Sequence, residues 1–357
     1  MFNADEMYMQ INFKTKPLVP RELIYDLYWI FADRRHSIFE RRLNGSPWPW
    51  VDDPILQKFK FCNTYRAADR VSQYLIRNIA YNKQAEDDKN RVFQIVAFRT
   101  FSNIATWEGL LSRLGKAPTI EHLATGAFEK ALDDIKSERG RLYTGAFILC
   151  ATKAFGYHEK HKNHTALFKE MFLYHDSDRR IRETGSLRDL VSYLGGFPLI
   201  GPFMSYQIAI DLNYSETVNF NENDYTQAGP GALRGIKKAF SDIGDYSPAD
   251  VIHYMVDNQE REFSRLEIDF NGLLGRNLHA IDCQNLFCEL DKYCREAAPH
   301  LISNRSRIKA RFTPNNTQLD FFFPPKWNIN SKIIQIASED CLRNPQLSLF
   351  DTSIHLA

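Results

Sequence analysis

Residues 186–208 read SLRDLVSYLGGFPLIGPFMSYQI. A Pro, a Gly and a second Pro fall within five residues, between two stretches patterned as helices. Ser186 is followed three residues later by Asp189, the spacing of a capping box. Leu187, Leu190, Val191 and Leu194 recur on one helical face. Gly195 stands where a terminating glycine belongs. Pro202 suits the first turn of a second helix, on which Phe203, Tyr206, Gln207 and Ile210 follow. The reading is helix, tight turn, helix over 186–212.

Outward from this hairpin, helical periodicity continues. Residues 20–44 carry Leu23, Leu27, Ile30, Phe31, Ile38 and Phe39 at helical spacing, and Gly45 stops the run. Residues 54–82 read as one helix or two. Further helices are expected from the acidic start EDDKN onward, near 104–114, 120–139 and 142–155. No series of short alternating strands with hairpin turns appears. The fold class is therefore all-α. Residues 1–310 read as one helical domain. Residues 311–357, rich in Asn, Pro and aromatics, read as an extended segment whose FFF run packs onto the body.

Composition narrows the function classes. With 45 basic and 44 acidic residues the net charge is +1, so nucleic-acid binding requires positive charge segregated on one face. The N-terminus lacks the basic and apolar regions of a signal peptide, and no apolar run approaches the roughly 20 residues that span a bilayer. A cytoplasmic protein with no membrane association and no obligate protein partner is expected. Cys283, Cys288 and Cys294 match zinc spacing poorly and read as buried thiols. His158, His161 and His164 are spaced by three among lysines, so no metal site is expected.

A helix–turn–helix of this kind turns backbone N–H groups outward beside a helix start, where a DNA phosphate fits. Phe197, Pro198, Leu199, Ile200 and Gly201 resemble the hydrophobic-Pro-Gly-hydrophobic-Gly turn of the helix-hairpin-helix in DNA glycosylases, with Leu199 in place of the first Gly. An ordinary helical hairpin is the competing reading. Downstream, Asp224 lies in a loop before AGPG and the helix ALRGIKKAF, with Glu222 as the rival carboxylate. Asp211, inside a helix, reads as structural. Gly229 and Gly231 place amides for a phosphate, with Arg234, Lys237 and Lys238 nearby.

Longer stretches carry a wider resemblance: YRAADRVSQYLIR (65–77), FRTFSNIATWEGL (98–110), GPFMSYQIAIDLNYS (201–215), AGPGALRGI (228–236) and DCQNLFCELDKYCR (282–295). Over roughly residues 20–310 the chain resembles the DNA base hypermodification family, also called α-glutamyl/putrescinyl thymine pyrophosphorylases. The related helical domain occurs beside 5-hydroxymethyluracil DNA kinases. The resemblance implies a helix-hairpin-helix glycosylase-like fold with two helical lobes flanking a DNA-binding cleft. It implies DNA carrying a modified pyrimidine as partner and no cofactor, apart from a structural monovalent cation held by carbonyls of the 197–201 turn.

The reaction stays open between three classes. The first is a DNA glycosylase that flips a hypermodified base, such as glucosylated 5-hydroxymethylcytosine, out of phage DNA as anti-phage defence. There Asp224, or Glu222, stabilises the oxocarbenium-like sugar. The second is a transferase adding an amine or amino acid to 5-phosphomethyl-uracil in DNA. The third is a non-catalytic DNA-binding module. No GxxxxGK[ST] phosphate loop is present. Trp107, Tyr206, Gln207 and Tyr225 are base-pocket candidates, each equally a core residue. Asp282, Gln284 and Asn285 either recognise the base or bridge helices. Arg66 and Arg70 either grip phosphate or join ion pairs between helices, and the basic runs RRIR (179–182) and RSRIKAR (305–311) either touch the DNA backbone or are solvated surface charge.

Overall fold

The computed structural model describes residues 14–82, 87–144, 153–308, 310–315 and 320–334. The first half holds α1 (Glu22–Leu43), α2 (Pro54–Lys58), α3 (Arg70–Leu75), α4 (Asp88–Phe101), α5 (Ile104–Leu114), α6 (Ile120–Ala124) and α7 (Ala127–Arg139). The second half holds α8 (Lys160–Lys169), α9 (Ser177–Arg182), α10 (Leu187–Gly195), α11 (Pro202–Tyr214), α12 (Pro230–Ala239), α13 (Pro248–Arg265) and α14 (Ala280–Ala297). Among the described residues the sheet is a single antiparallel pair, β1 (Val19–Pro20) with β2 (Phe240–Asp242). The fold is all-α.

The opening hairpin forms as α10, a turn and α11. Ser186 accepts from the Asp189 amide and donates to its carboxylate, closing the start of α10. Pro202 fills the first turn of α11, where a missing N–H costs nothing. The glycines act differently from the expectation. Gly196, the residue capping α10, is right-handed, with φ of −73°. Gly195 is the last residue of α10, where a Cβ would make only ordinary contact, 3.5 Å from Ser205 Oγ. The left-handed residue is Leu199, with φ of +69°. It takes the conformation a glycine adopts without strain, at a cost of about 1 kcal/mol.

Other boundaries shift for identifiable reasons. The 120–139 pattern splits at Gly126, whose φ of +81° separates α6 from α7. In α1, Leu23 is 85% exposed, and the buried face is Ile24, Tyr25, Tyr28, Trp29 and Phe31. The aromatic rings beside the expected stripe, not the leucine at its edge, reach the core. The 142–155 expectation falls largely on residues outside the described set.

α1 and α13 pack with the α12–α14 pair, while α4 packs with α11 and α9. The α12–α14 contact is the tightest. A Cβ on Gly231 would lie 2.2 Å from Cys288 Sγ, and one on Gly235 would lie 1.9 Å from the Phe287 carbonyl oxygen. The aromatic run near the C-terminus folds back: Phe323 is buried, and Phe321 meets Phe39 at 4.8 Å.

Gly235→Ala is expected to destabilise by about 3 kcal/mol, since backbone must move to admit one methyl. Gly201→Ala, where φ is −77° and no atom lies within 4 Å, should stay within about 0.5 kcal/mol of the parent. Urea midpoints of the two variants check the contrast.

Candidate functional site

α11 carries no polar outer face: every residue from Met204 to Tyr214 is buried. Its polar residues must therefore find partners inside. Asp211, wholly buried, receives Arg66 Nη2 at 2.8 Å and Arg99 through Nη2 at 3.0 Å and through Nε. Arg66 Nε donates to Gln207 Oε1 at 3.0 Å, and its guanidinium lies 5.5 Å from the centre of the Tyr214 ring. Burial works against the Arg66 charge, but Asp211 and Tyr214 outweigh it and hold the guanidinium firmly protonated.

The 3₁₀ turn Arg66–Ala68 connects this centre to α14. The Arg66 amide donates to Asp282 Oδ1 at 2.9 Å, and the His279 amide to Asp282 Oδ2 at 3.2 Å. Gln207 Nε2 reaches Gln284 Oε1 at 3.4 Å. Burial pushes the Asp282 carboxyl up to about 7, against the pull of the Arg66 amide. From the loop after α11, Glu222 is buried and receives Arg276 Nη2 at 2.7 Å. The Arg276 guanidinium stands 3.9 Å over the Trp327 ring.

Among the described residues the buried Arg66 Nη1 has no hydrogen-bond partner, and the buried hydroxyls of Tyr206 and Thr226 have only each other. The Tyr206 hydroxyl lies beside that of Thr226, and the charges of Glu222, Arg66 and Asp282 bear on it. A buried unpartnered donor costs about 1–3 kcal/mol, more when charged, so it asks for an explanation. Cations also exceed anions: Arg66, Arg99 and Arg276 face Asp211 and Glu222, with Asp282 half-protonated near neutrality. The arrangement suits an anionic, oxygen-rich group.

The structure brings together Arg66, Tyr206, Gln207, Asp282, Gln284 and Glu222 from among the sequence candidates. Others sit elsewhere. Asp224 is exposed at the loop surface. Trp107 is core, edge-on to Phe98 at 5.6 Å. Ile200 is buried and its amide is bonded to the Phe197 carbonyl, so it presents nothing to a phosphate. Pro198 and Gly201 are exposed at the turn. Gly229 packs against Phe203 and Gly231 against Cys288, so both are spacing glycines rather than a phosphate cradle. Arg66 is an interior ion-pair residue, not a surface grip, whereas Arg70 is exposed. Tyr225 is half-buried, with Arg188 4.9 Å above its ring, and Asn285 Nδ2 is buried without a partner. Arg234 pairs with Asp291 and Lys237 is exposed. His161 contacts Asp133 and His164 contacts Tyr143.

Arg99, Tyr214, Thr226, Arg276 and Trp327 were not singled out in the sequence. For Asp211 and Tyr214 a signal existed: Gln207, Asp211 and Tyr214 fall at i, i+4 and i+7 on an otherwise apolar helix.

The family model described as the 5-hmdU DNA kinase helical domain matches residues 22–303, which contain all of the cluster except Trp327. The chain belongs to this family. A relative named 5-hmdU DNA kinase, from Bacillus phage SP10, is 23% identical over 296 residues, covering 76% of this chain and 45% of its own length. The chain thus spans less than half of that relative. No solved structure matches. These findings overturn the expectation of a DNA glycosylase, because the relative is named as a kinase, which transfers phosphoryl groups rather than hydrolysing N-glycosidic bonds. The oxocarbenium role given to Asp224 and Glu222 falls with it. No helix among the described residues is long and apolar enough to cross a membrane.

Two substitutions separate structure from ligand handling. Asp211→Asn leaves Arg66 and Arg99 facing each other and should cost about 3–5 kcal/mol. Arg66→Gln leaves Arg99 with Asp211, a balanced pair, and should cost about 1 kcal/mol. Equal losses in denaturant unfolding would contradict the charge count.

Asp282 predicts a pH effect of defined sign. Its folded pKa is raised, so between the unfolded value and about 7 the native state binds more protons and stability falls as pH rises. Asp282→Asn cannot ionise. The parent should therefore lose stability relative to this variant as pH rises from about 5 to about 8. Paired thermal melts across that window check the direction.

Proposed function

We propose that the chain is a transferase of DNA base hypermodification, acting on the 5-hydroxymethyl-derived substituent of a uracil base and leaving the glycosidic bond intact. The observation that carries this reading is the buried Arg66 Nη1 without a hydrogen-bond partner, on a guanidinium whose charge bears on the Tyr206 hydroxyl. A phosphate on the C5 methylene would supply the missing acceptor oxygens. Family membership directs the choice of substrate, since the phage relative's name joins 5-hmdU, DNA and phosphoryl transfer.

In this reading the base is flipped out of the stack. Tyr225, half-buried and edge-on to Tyr206 at 6.0 Å, is an aromatic face able to stack on it. An amine nitrogen attacks the C5 methylene carbon and a C–N bond forms. The C–O bond to the phosphate breaks, and the phosphate leaves with the bonding pair against Arg66 and Tyr206. The amine proton passes to Asp282, which titrates near neutrality and can accept it. Glu222, fixed by Arg276, orients the amine. Phosphoryl transfer to the hydroxymethyl group is the second reading, favoured by the relative's name. The 357 residues contain no GxxxxGK[ST] loop to hold a nucleoside triphosphate, which ranks it second.

Mass spectrometry of nucleosides tests the proposal. DNA containing 5-phosphomethyl-uracil is incubated with the protein and an amine or amino acid, then digested. The expected product is a nucleoside in which amine replaces phosphate, and Arg66→Gln abolishes it. A phosphorylated nucleoside formed from 5-hydroxymethyl-uracil and ATP would instead establish the second reading. Unaltered nucleosides under both conditions would refute both.

A further inference from the structure

A cleft of about 390 Å³ lies at the far end of α14 from the buried cluster. Arg21, Arg234, Lys237, Lys238 and His300 line it, with Ile302 and Asn304 on the same wall. One carboxylate organises these cations. Asp291, wholly buried, receives Arg234 Nε at 3.0 Å, Lys238 Nζ at 3.1 Å and Arg295 Nη2 at 2.7 Å. Three positive groups against one negative group leave a surplus that is fixed in place, because Lys238 itself is only 5% exposed. Arg21 and Lys237 add exposed charge at the mouth. The surface then continues: Arg295 Nη1 donates to the Arg307 carbonyl at 3.1 Å, tying the exposed Arg305 and Arg307 to the same helix end. For a chain whose net charge is +1, this concentration on one face is a strong departure from the mean.

We propose that this cleft docks the phosphodiester backbone of the DNA at a distance from the reacting base. The inference rests on the proposed action on DNA, and it assigns that function a second contact surface. Fixed guanidinium and ammonium groups neutralise successive phosphates and read no sequence. Ile302, 91% exposed on the rim, offers an apolar contact to sugar faces. A single isoleucine is far too little apolar area to anchor the chain to a lipid surface.

The test measures binding of the full chain to an unmodified 20-base-pair duplex (about two helical turns) by fluorescence anisotropy across a salt series. The Arg21→Glu/Lys237→Glu pair is compared with Lys130→Glu/Lys136→Glu, the same charge change on α7. The cleft pair should weaken binding about ten-fold or more at low salt and flatten the slope of log K against log salt by about 2, while the α7 pair leaves the slope unchanged. Equal effects of the two pairs, or none, would overturn the cleft. Tighter binding to phosphatidylglycerol vesicles than to duplex would also overturn it. Failure of the unaltered chain to bind DNA would overturn both the cleft and the proposed function. Binding lost with the cleft pair, but no base product from the unaltered chain, would uphold the cleft and reject the transferase.

Discussion

The Asp211 carboxylate is the constraint around which the molecule is arranged. It sits in the middle of a helix that is buried all round, so it has no route to solvent, and an ionised carboxylate without partners would be prohibitive there. Arg99 from α4 and Arg66 from the turn before α3 both converge on it. That convergence fixes three chain segments relative to one another. It also overshoots: one arginine neutralises one aspartate. The second also faces Gln207 and the Tyr214 ring and keeps a buried Nη1 without a hydrogen-bond partner among the described residues. A buried ion pair is weak evidence for stability, since hydrophobic replacements often do as well. An unbalanced buried triad is better evidence for a site, because burial of surplus charge is costly without a return in binding.

The same logic decides the state of Asp282. It lies in the first turn of α14, where the helix dipole and two backbone amides favour the charged carboxylate. Those effects normally depress an acid. Here burial acts in the other direction and wins, leaving the group near 7. On the same helix, Gly231 and Gly235 let α12 lie directly on Phe287 and Cys288.

Legibility in the sequence followed the range of the interactions. The hairpin was readable because its determinants are local: a serine cap three residues from its acid, a proline at a first turn, a stripe of leucines. Its turn departed from pattern by one residue, and Leu199 shows why that misleads, since the left-handed backbone is kept without the glycine. The glycines of AGPG misled in the opposite sense: they look like a phosphate loop in one dimension and are packing spacers in three. The site was only partly readable. Gln207, Asp282 and Gln284 stood out as polar residues on apolar helices. Arg99 and Arg276 did not, because their meaning lies in contacts with residues 112 and 54 positions away in the chain. The choice between carboxylates was likewise a matter of burial, which places Glu222 inside and Asp224 at the surface.

α14 joins the two surfaces on which the functional reading depends. Its N-terminal turn holds Asp282 and Gln284 in the buried cluster, and its C-terminal turn holds Arg295 beside the basic cleft. At 1.5 Å per residue, the helix from residue 282 to its end at residue 297 is about 22 Å long. Duplex DNA rises 3.4 Å per base pair, so the same distance covers about six base pairs. That length suits division of labour. In the proposed reading, the cleft meets sequence-independent charge far from the chemistry and the cluster meets one base, so affinity and selectivity fall to different residues. A rigid helix is the simplest way to keep such a spacing constant. The dense α12–α14 contact, with its glycines pressed on Phe287 and Cys288, provides that rigidity midway between the two ends.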